Sequence, residues 1–492
     1  MQINMIQQVQ TALINVLSFE MVLWVFIGVG IGIVFGALPG LTATTGVAVF
    51  TPMTFYMSFD VSMALLLGIF CGGYYAGSIP AILIKTPGAP GNAATILDGY
   101  TMAEQGKAGK ALGLSIVSSV FGGIFSALVL LFFAPLLGNF ATKFGSAEYF
   151  AVGLIGLVCV ASVSGKSLVK GIAAALIGMI LGCIGMDPIS GIPRLTLGSQ
   201  NLSGGISLIP ALIGFFAITE VLVKVEEYSE TCTENVLEVT KVVNNLRECF
   251  AYKWLLVKSS LIGTIIGALP GTGPTIASWV SYNEAKRSSK NPEEFGTGIS
   301  AGVIASEAAN NAVTGGAMIP LLTLGIPGDT VTAILLGALM IQGLTPGPML
   351  IKENYGTIVS ILIILIIANL FMLVLGLFAS KMFPYIIRIP QAILIPLIIV
   401  LCVTGGFAYG SSYFDVKILL ILGVFGFILN KYGFPIPPVV LGLVLGPIIE
   451  PNFRRALISA EMNPFIFFQR PLSLGLIILA VLILVFLTKT SK

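Results

Sequence analysis

The sequence predicts an all-α polytopic membrane protein with two inverted structural repeats, broken helices or re-entrant hairpins, and roughly 10–14 membrane segments of about 20 apolar residues each. Three observations predict this fold. Of the 492 residues, 56% are hydrophobic and 10% are charged, whereas a soluble protein carries roughly 25% charged residues. The chain also contains an internal duplication, and glycine and proline lie inside its apolar runs.

The duplication is marked by two short motifs that occur in the same order in each half. The first motif, GALPG, stands at Gly36–Gly40 and again 231 residues later at Gly267–Gly271. The second is a Pro-Gly pair within an apolar run, at Pro87–Gly88 and 240 residues later at Pro327–Gly328. Because two landmarks recur in order, they indicate duplication of a structural unit.

Each of these motifs predicts an interrupted helix. Proline removes a backbone N–H and glycine permits a tight bend. An unpaired backbone group is costly in hydrocarbon, so such breaks occur where protein or a polar cavity surrounds them. We therefore expect two broken helices or re-entrant hairpins in each repeat, with tips that meet near mid-membrane. The alternative is that these glycines and prolines serve only close helix packing.

The distribution of basic residues predicts that the copies are inverted. The loop after the first GALPG, residues 52–62, has no Lys or Arg, whereas its counterpart contains Lys286, Arg287 and Lys290. After the Pro-Gly motifs the bias reverses, with Lys107 and Lys110 in the first copy. Under the positive-inside rule, this alternation places matched loops on opposite sides of the membrane. Inverted repeats with broken helices are typical of secondary transporters.

The predicted organisation has five parts. They are an N-terminal lead-in or interfacial helix (1–19), membrane repeat 1 (20–224, hairpin motif 78–99), a polar connector (225–251), membrane repeat 2 (252–450, hairpin motif 306–339), and a C-terminal loop with the last span (451–492). The connector is expected in the cytoplasm, although Arg454, Arg455 and Arg470 disagree with that orientation. The stretch Asp98–Tyr100 is expected to form a cytoplasmic turn.

Histidine is absent from the sequence, and the six cysteines are scattered without metal-ligand spacing. We therefore expect neither a disulfide framework nor a transition-metal site. Any proton relay would have to use carboxylates.

Four long stretches carry a resemblance to a known family: Gly36–Gly46, Gly72–Gly99, Gly267–Tyr282 and Ser306–Leu339. They are similar to the large membrane permease subunit of the tripartite tricarboxylate transporters (the TctA family), and the resemblance extends over essentially the whole chain. It implies import of tricarboxylate-type or dicarboxylate-type solutes across the bacterial inner membrane, driven by a cation gradient, usually Na⁺, with no other cofactor.

The resemblance also implies partners. These are a TctB-like small membrane subunit and a TctC-like periplasmic solute-binding protein, in addition to the lipid bilayer, and no nucleic acid is among them. By similarity to other inverted-repeat carriers, an elevator-like alternating-access movement of the hairpin domain is expected.

A carboxylate inside the membrane needs hydrogen-bond donors and positive potential, and the ends of broken helices supply both. Small hydroxyl, amide and glycine residues follow each break. The candidate substrate-binding residues are Thr42, Thr44, Thr45, Lys85, Thr86, Gly88, Asn92, Thr95, Thr272, Thr275, Asn310, Asn311, Thr314 and Gly328. The candidate ion-binding residues are Gly40, Gly271, Glu307, Asn311, Thr323 and Asp329.

Three charged residues in these stretches have competing interpretations. Lys85 would pair with a substrate carboxylate, reach the membrane interface, or pair with Asp98 or Glu307. Glu307 would be an ion or proton site, or would brace the two amides that follow it on the same helix. Asp329 suits a helix N-cap, with a sodium ligand as the further option.

Two other functions compete with a carrier. A channel or facilitator for anions or other solutes would need no ion gradient. A membrane-embedded enzyme would need a nucleophile or metal constellation, and the sequence shows none, so we expect no enzymatic activity. The duplicated breaks favour the carrier.

Overall fold

The computed structural model describes residues 2–38, 40–163, 167–227, 246–378, 382–387 and 389–490. Most of the predicted polar connector, residues 228–245, lies outside the described residues. Within them the chain is predominantly helical with one short β-hairpin, which confirms the all-α prediction.

The first half contains α1 Gln2–Val16, α2 Phe19–Ala37, α3 Ala43–Phe50, α4 Phe59–Ala76, α5 Ser78–Leu83, α6 Thr95–Met102, α7 Ala108–Ala141, α8 Ser146–Val163, α9 Leu168–Gly182, β1 Gly185–Met186, β2 Pro193–Arg194, α10 Leu208–Ile213 and α11 Thr219–Glu227. The strands β1 and β2 pair antiparallel.

The second half contains α12 Leu246–Ala251, α13 Lys253–Ala268, α14 Gly273–Ser288, α15 Ser300–Leu324, α16 Thr330–Ile341, α17 Pro348–Glu353, α18 Tyr355–Phe378, α19 Phe383–Ile387, α20 Gln391–Gly410, α21 Tyr413–Lys431, α22 Ile436–Ser459, α23 Ile466–Gln469 and α24 Pro471–Thr490.

Length and apolar composition identify the helices that suit a membrane. Within the described ranges, eight helical segments are long and apolar enough to cross one, and shorter apolar helices occur at Ser146–Cys159, Leu168–Gly182, Thr330–Ile341 and Pro471–Val485. These segments support a multi-pass membrane protein. The exact number of spans stays a prediction.

The predicted breaks are present in both copies. The GALPG motifs separate α2 from α3 and α13 from α14, and the Pro-Gly motifs separate α5 from α6 and α15 from α16. Gly40 and Gly271, the last residues of the two GALPG motifs, have φ angles of +75° and +80°. This left-handed conformation is one that glycine adopts at little cost. The broken-helix part of the prediction is therefore confirmed.

Each GALPG motif is clamped to the Pro-Gly motif of its own copy. The carbonyl oxygen of Gly36 lies against Gly88, and that of Gly267 lies against Gly328, so close that neither second glycine has room for a side chain. Because the same contact occurs at matched positions, the two copies are similar in backbone structure as well as in sequence.

Equivalent helices of the two halves also exchange partners. Helix α7 lies along α15, while its counterpart α18 packs on α4. Helix α9 packs on α22, and α21 packs on α10 and α11. This reciprocal packing agrees with two related copies, whereas their inverted orientation in the membrane stays a prediction.

The stretch Asp98–Tyr100 lies inside α6, so the expected turn is wrong. The Asp98 carboxylate is fully buried and accepts a hydrogen bond from the hydroxyl of Tyr282 at 2.8 Å. It also accepts from the backbone N–H groups of Gly296, Gly298 and Ile299. Asp98 therefore joins the first hairpin to the loop before α15, and these donors explain why a carboxylate is buried there.

A charge cluster joins the β-hairpin to α22. Arg454 donates to Asp187 at 2.8 Å and to Glu450 at 2.9 Å, and Arg194 lies 3.2 Å from Glu450. Arg470 pairs similarly with the buried Glu148 at 2.7 Å. Arg454 and Arg470 are two of the arginines that disagree with the predicted orientation, and each has a local structural role.

Candidate functional site

The tips of the broken helices from both copies meet around a cavity of about 340 Å³. Small-molecule sites span about 300–1,000 Å³, so this cavity suits a small solute. The first half contributes Thr42, Ala43, Thr44, Tyr74, Ala89, Pro90 and Gly91, and the second half contributes Gly271, Thr272, Gly273, Pro274, Thr275, Asp329, Thr330, Pro437 and Leu441.

Three helices begin at this cavity. They are α3, α14 and α16, with Thr42, Thr272 and Asp329 as their N-cap residues. The first turn of a helix carries free N–H groups and the positive end of the helix dipole. The arrangement therefore directs positive potential toward the cavity without a basic side chain.

Helix α14 offers the most open of these N-termini. No side chain caps it. The hydroxyl of Thr272 instead donates back to the carbonyl oxygens of Ile266 and Leu269. Because Pro274 has no N–H, the first turn of α14 offers those of Gly273 and Thr275, which both line the cavity, and this is a suitable position for a carboxylate.

The lining includes five threonines and Tyr74 among apolar residues, and its one charged side chain among the described residues is that of Asp329. The hydroxyls of Thr44 and Thr330 lie 3.0 Å apart and connect the tip of one copy to the tip of the other. Hydroxyls donate to a bound anion or accept from its protonated form, so they suit an oxygen-rich solute.

Asp329 is the N-cap of α16, as the sequence predicts. Its Oδ1 accepts from the N–H of Thr332 at 2.8 Å, and the Thr332 hydroxyl accepts from the N–H of Asp329 at 2.8 Å. These two bonds form a capping box. The other carboxylate oxygen, Oδ2, accepts from the hydroxyl of Tyr74 on α4.

Glu307 lies beside the cavity, in the middle of α15, and is fully buried. Its Oε1 accepts from Asn92 Nδ2 at 3.2 Å and from the hydroxyl of Thr95, and its Oε2 accepts from the Ser119 hydroxyl at 3.2 Å. The expected bracing of the adjacent amides is wrong, because the side chain of Glu307 bonds to residues of the first half instead.

Two amides connect this network to Tyr74. The backbone carbonyl of Tyr74 accepts from Asn310 Nδ2 at 2.9 Å and from Asn92 Nδ2 at 3.3 Å. Asn311 is fully buried, and neither its Oδ1 nor its Nδ2 has a hydrogen-bond partner. The Oδ1 of Asn92 is also buried without a partner. Unpaired buried amides are rare and call for an explanation.

The structure sorts the predicted site residues into three groups. Thr42, Thr44, Gly271, Thr272, Thr275 and Asp329 line the cavity. Asn92, Thr95, Asn310 and Glu307 form the buried network beside it, and the buried Asn311 lies on the same helix without a partner. Gly40, Thr45, Lys85, Thr86, Gly88, Thr314, Thr323 and Gly328 are not among the lining residues.

Residues of the third group have local structural contacts. The hydroxyls of Thr314 and Thr323 donate to backbone carbonyls of their own helix at 2.7 Å. Thr45 is buried and bonds to Thr42, and the Thr86 hydroxyl donates to the carbonyl of Ile84 at 3.4 Å. The three glycines shape the breaks.

Lys85 is exposed and does not reach the cavity. Its Nζ lies 5.3 Å from the centre of the Tyr100 ring. The suggested ion pairs with Asp98 and Glu307 are wrong, because those carboxylates bond to other groups. With φ at +61°, Lys85 stands where the second copy has Gly325, at +71°, so it occupies a helix-ending position.

Sequence reasoning missed Tyr74, Ser119 and Lys224. Tyr74 lies beside Tyr75 and Ser119 beside Ser118, in otherwise apolar helices, and neither pair indicates which residue it contacts. Lys224 is 8% exposed, and its ammonium group lies against Gly40 at the first break. A lysine near the end of an apolar run was an available signal for it.

The model of the Tripartite tricarboxylate transporter TctA family matches residues 22–441. This chain belongs to the TctA family. Its members are membrane subunits of tricarboxylate transporters, so the resemblance noted in the sequence is confirmed.

Two relatives from Agrobacterium vitis are similar to the chain. The "Uncharacterized 52.8 kDa protein in TAR-I ttuC' 3'region" is 36% identical over 458 residues, which cover 93% of this chain and 91% of the relative. The "Uncharacterized protein in TAR-II ttuC' 3'region" is 37% identical over 215 residues, which cover 44% of this chain and 89% of the relative. No solved structure matches.

Proposed function

We propose that this TctA-family protein is the large membrane subunit of a binding-protein-dependent secondary transporter. It imports tricarboxylate-type or dicarboxylate-type solutes, and a cation gradient, that of Na⁺, drives the import. The observation that carries this proposal is the small cavity at which three helix N-termini from both copies converge.

The cavity supports binding of an anion that must later be released. Helix N-termini and threonine hydroxyls attract a carboxylate by dipoles, without the strong attachment of a buried ion pair. The Asp329 carboxylate in the same lining disfavours an anion unless a cation accompanies it. Co-binding of a cation and a carboxylate is the basis of symport.

The hydrogen bonds between the copies support movement of the tips as one unit. Asn92 of the first hairpin bonds to Glu307 of α15, and Tyr74 of α4 bonds to both Asn310 and Asp329. A body held together in this way would expose its cavity to each side in turn, in an elevator-like movement. We place the protein in the bacterial inner membrane.

The proposed partners follow from the family. A small membrane subunit assembles with this chain, and a periplasmic solute-binding protein delivers the carboxylate.

The test is uptake into proteoliposomes that contain this subunit and its small membrane partner. Labelled di- and tricarboxylates are offered with the cognate binding protein, with and without an inward Na⁺ gradient. Concentrative uptake that collapses without the gradient is the expected result. Uptake that only equilibrates, whatever the ion gradient, would establish the alternative function, an anion or solute facilitator or channel.

A further inference from the structure

We propose that Glu307 and the unpaired amides of Asn311 and Asn92 form the binding site of the coupling cation, and that this cation is Na⁺. The site is separate from the solute cavity. This inference rests on the proposed function for its role in transport, but binding of the cation can be tested without transport.

The first argument concerns charge. Glu307 is 0% exposed, and its hydrogen-bond partners Asn92, Thr95 and Ser119 are neutral. Among the described ion pairs, none includes Glu307. An ionised carboxylate in such surroundings is costly unless a cation accompanies it. One carboxylate balances one positive charge, so the site suits a monovalent cation.

The second argument comes from the unpaired amides. Asn311 lies four residues after Glu307 on α15, and positions four apart share a helix face. Its side chain is 0% exposed and has no partner for either polar atom. Asn92 touches Glu307 through Nδ2, while its Oδ1 is buried and unpaired. Asn92 thus touches the carboxylate and Asn311 follows it by one helical turn, and the amide oxygen of each is without a partner.

The chemistry of the side chains around Glu307 indicates which ligand would bind there. The carboxylate of Glu307 bonds to an amide and two hydroxyls, from Asn92, Thr95 and Ser119, and the unpaired amide of Asn311 follows one turn further along α15. Hard cations prefer oxygen ligands of this kind. A proton would bind the carboxylate alone and would leave the amides of Asn311 unexplained, which is why we choose Na⁺.

The third argument is the connection to the cavity. Glu307 is not a lining residue, whereas Asp329 is. Tyr74 touches both sites: its backbone carbonyl accepts from Asn92 and Asn310, and its hydroxyl donates to Asp329. Occupation of the Glu307 site would therefore position Asn92, and through Tyr74 the carboxylate that faces the solute.

The experiment measures binding through stability. A ligand that binds only the folded protein raises its melting temperature in a concentration-dependent way. The purified full-length chain in detergent is titrated with NaCl against KCl at constant ionic strength. We expect a Na⁺-specific rise in Tm for the wild type, loss of that rise in Glu307→Gln, and retention in Glu461→Gln, which changes an exposed carboxylate in the same way.

A second variant guards against a folding defect in Glu307→Gln. Asn311→Leu replaces the unpaired amide with an apolar side chain of similar size. If the amide of Asn311 has only a structural role, Asn311→Leu should have a higher or unchanged Tm and an unchanged response to Na⁺. This result would overturn the proposal. The proposal predicts an apparent Na⁺ affinity reduced by about 10-fold or more, in line with ligand-shell changes at other metal sites.

The outcomes separate this inference from the proposed function. If the wild type imports carboxylates with Na⁺ but Glu307→Gln keeps the full Na⁺-induced rise in Tm, the transporter stands and this site is wrong. A wild type that responds to pH but not to Na⁺ would also overturn the site. Absence of carboxylate uptake, with a Na⁺ response that depends on Glu307, would count against the proposed function alone.

Discussion

The two GALPG tips are built in the same way, and a comparison of their surroundings shows what the duplication preserved. In the first copy the carbonyl of Gly36 lies against Gly88, and in the second that of Gly267 lies against Gly328. The helix that precedes each Pro-Gly motif ends in a left-handed residue in both copies, although one copy uses lysine and the other glycine. The backbone of the breaks is thus common to both halves.

The polar side chains differ between the copies. Asp329 and Glu307 of the second copy correspond to Ala89 and Leu67 of the first. The partners of these carboxylates, such as Tyr74 and Asn92, come from the first copy. The copies therefore share the backbone of the breaks but differ in the polar side chains that meet across them: Asp329 and Glu307 accept from the first copy, whereas Asp98 accepts from the second.

The same divergence changes the local helices. After the second Pro-Gly motif, Asp329 caps α16, which begins at once at Thr330. At the matched position Ala89 has no side-chain acceptor, and α6 begins only at Thr95. Asp329 supplies an N-cap acceptor that the first copy lacks, and the first copy has a short 3-10 helix at Pro90–Asn92 before α6.

The largest effect is expected from breaking the shared scaffold. Gly88→Ala and Gly328→Ala should each destabilise the protein by about 2–3 kcal/mol, because the added Cβ would overlap the carbonyl of the GALPG motif. Thermal unfolding in detergent measures this. The control is Gly30→Ala, where no atom lies within 4 Å of the added Cβ. If only one of the two alanine variants lost stability, the close contact between GALPG and Pro-Gly would not be equivalent in the two copies.

The next largest effect is expected from loss of the hydrogen bond between Tyr74 and Asp329, which connects the two copies. Tyr74→Phe removes the hydroxyl that donates to Asp329 but keeps the backbone carbonyl that accepts from Asn310. We expect Na⁺ stimulation of uptake to fall by about 10-fold, within the usual range of coupling between sites. The Na⁺-induced rise in Tm should remain. Unchanged stimulation would mean that Tyr74 does not connect the two sites.

A smaller effect tests the N-cap that only the second copy has. Asp329→Ala should destabilise the protein by about 1–2 kcal/mol, whereas Asp329→Asn should keep the cap and the stability. Uptake by Asp329→Asn at several Na⁺ concentrations then distinguishes the capping role of Asp329 from a role of its charge. A flattened Na⁺ dependence in the asparagine variant would assign the Asp329 charge to ion binding, and full Na⁺ stimulation would limit Asp329 to capping.

Substitution of Lys85 tests whether Lys85 and Gly325, which both have a left-handed backbone, occupy equivalent positions in the two copies. Lys85→Gly should stabilise the protein by about 0.5–1 kcal/mol, because the relief of left-handed strain exceeds the entropy cost of glycine. With its side chain outside the cavity, we expect the KM for carboxylate to stay unchanged. A raised KM in both Lys85→Gly and Lys85→Ala would instead support pairing of Lys85 with the substrate.

The smallest effect lies at the exposed β-hairpin that ties the first half to α22. The Ser190 hydroxyl, the Ile189 N–H and Arg454 lower the pKa of Asp187. A lowered carboxyl pKa stabilises the fold above the ordinary value of about 4, and this stabilisation is lost as the pH falls below it. Asp187→Asn should therefore have a lower Tm than the wild type at pH 7, and the difference should shrink toward acid. A constant difference would exclude the titration of Asp187 as its source.

The membrane class, the duplication and the positions of the helix breaks could be predicted from the sequence alone. Hydrophobic runs and Pro-Gly chemistry act locally, so the breaks around Gly40 and Gly271 could be predicted from composition and motif alone. The capping role of Asp329 followed for the same reason, since an N-cap depends on its immediate neighbours.

Which polar residues contact each other depends on how the helices pack. Glu307 and Asn92 lie far apart along the chain, as do Asp329 and Tyr74, and their contacts depend on which helix faces pack together. The same dependence explains Lys85, whose sequence context suggested a buried cation but whose helix-ending position turns it outward. A linear pattern specifies where a helix breaks, but the partner of a buried polar group is specified by packing between helices distant in sequence.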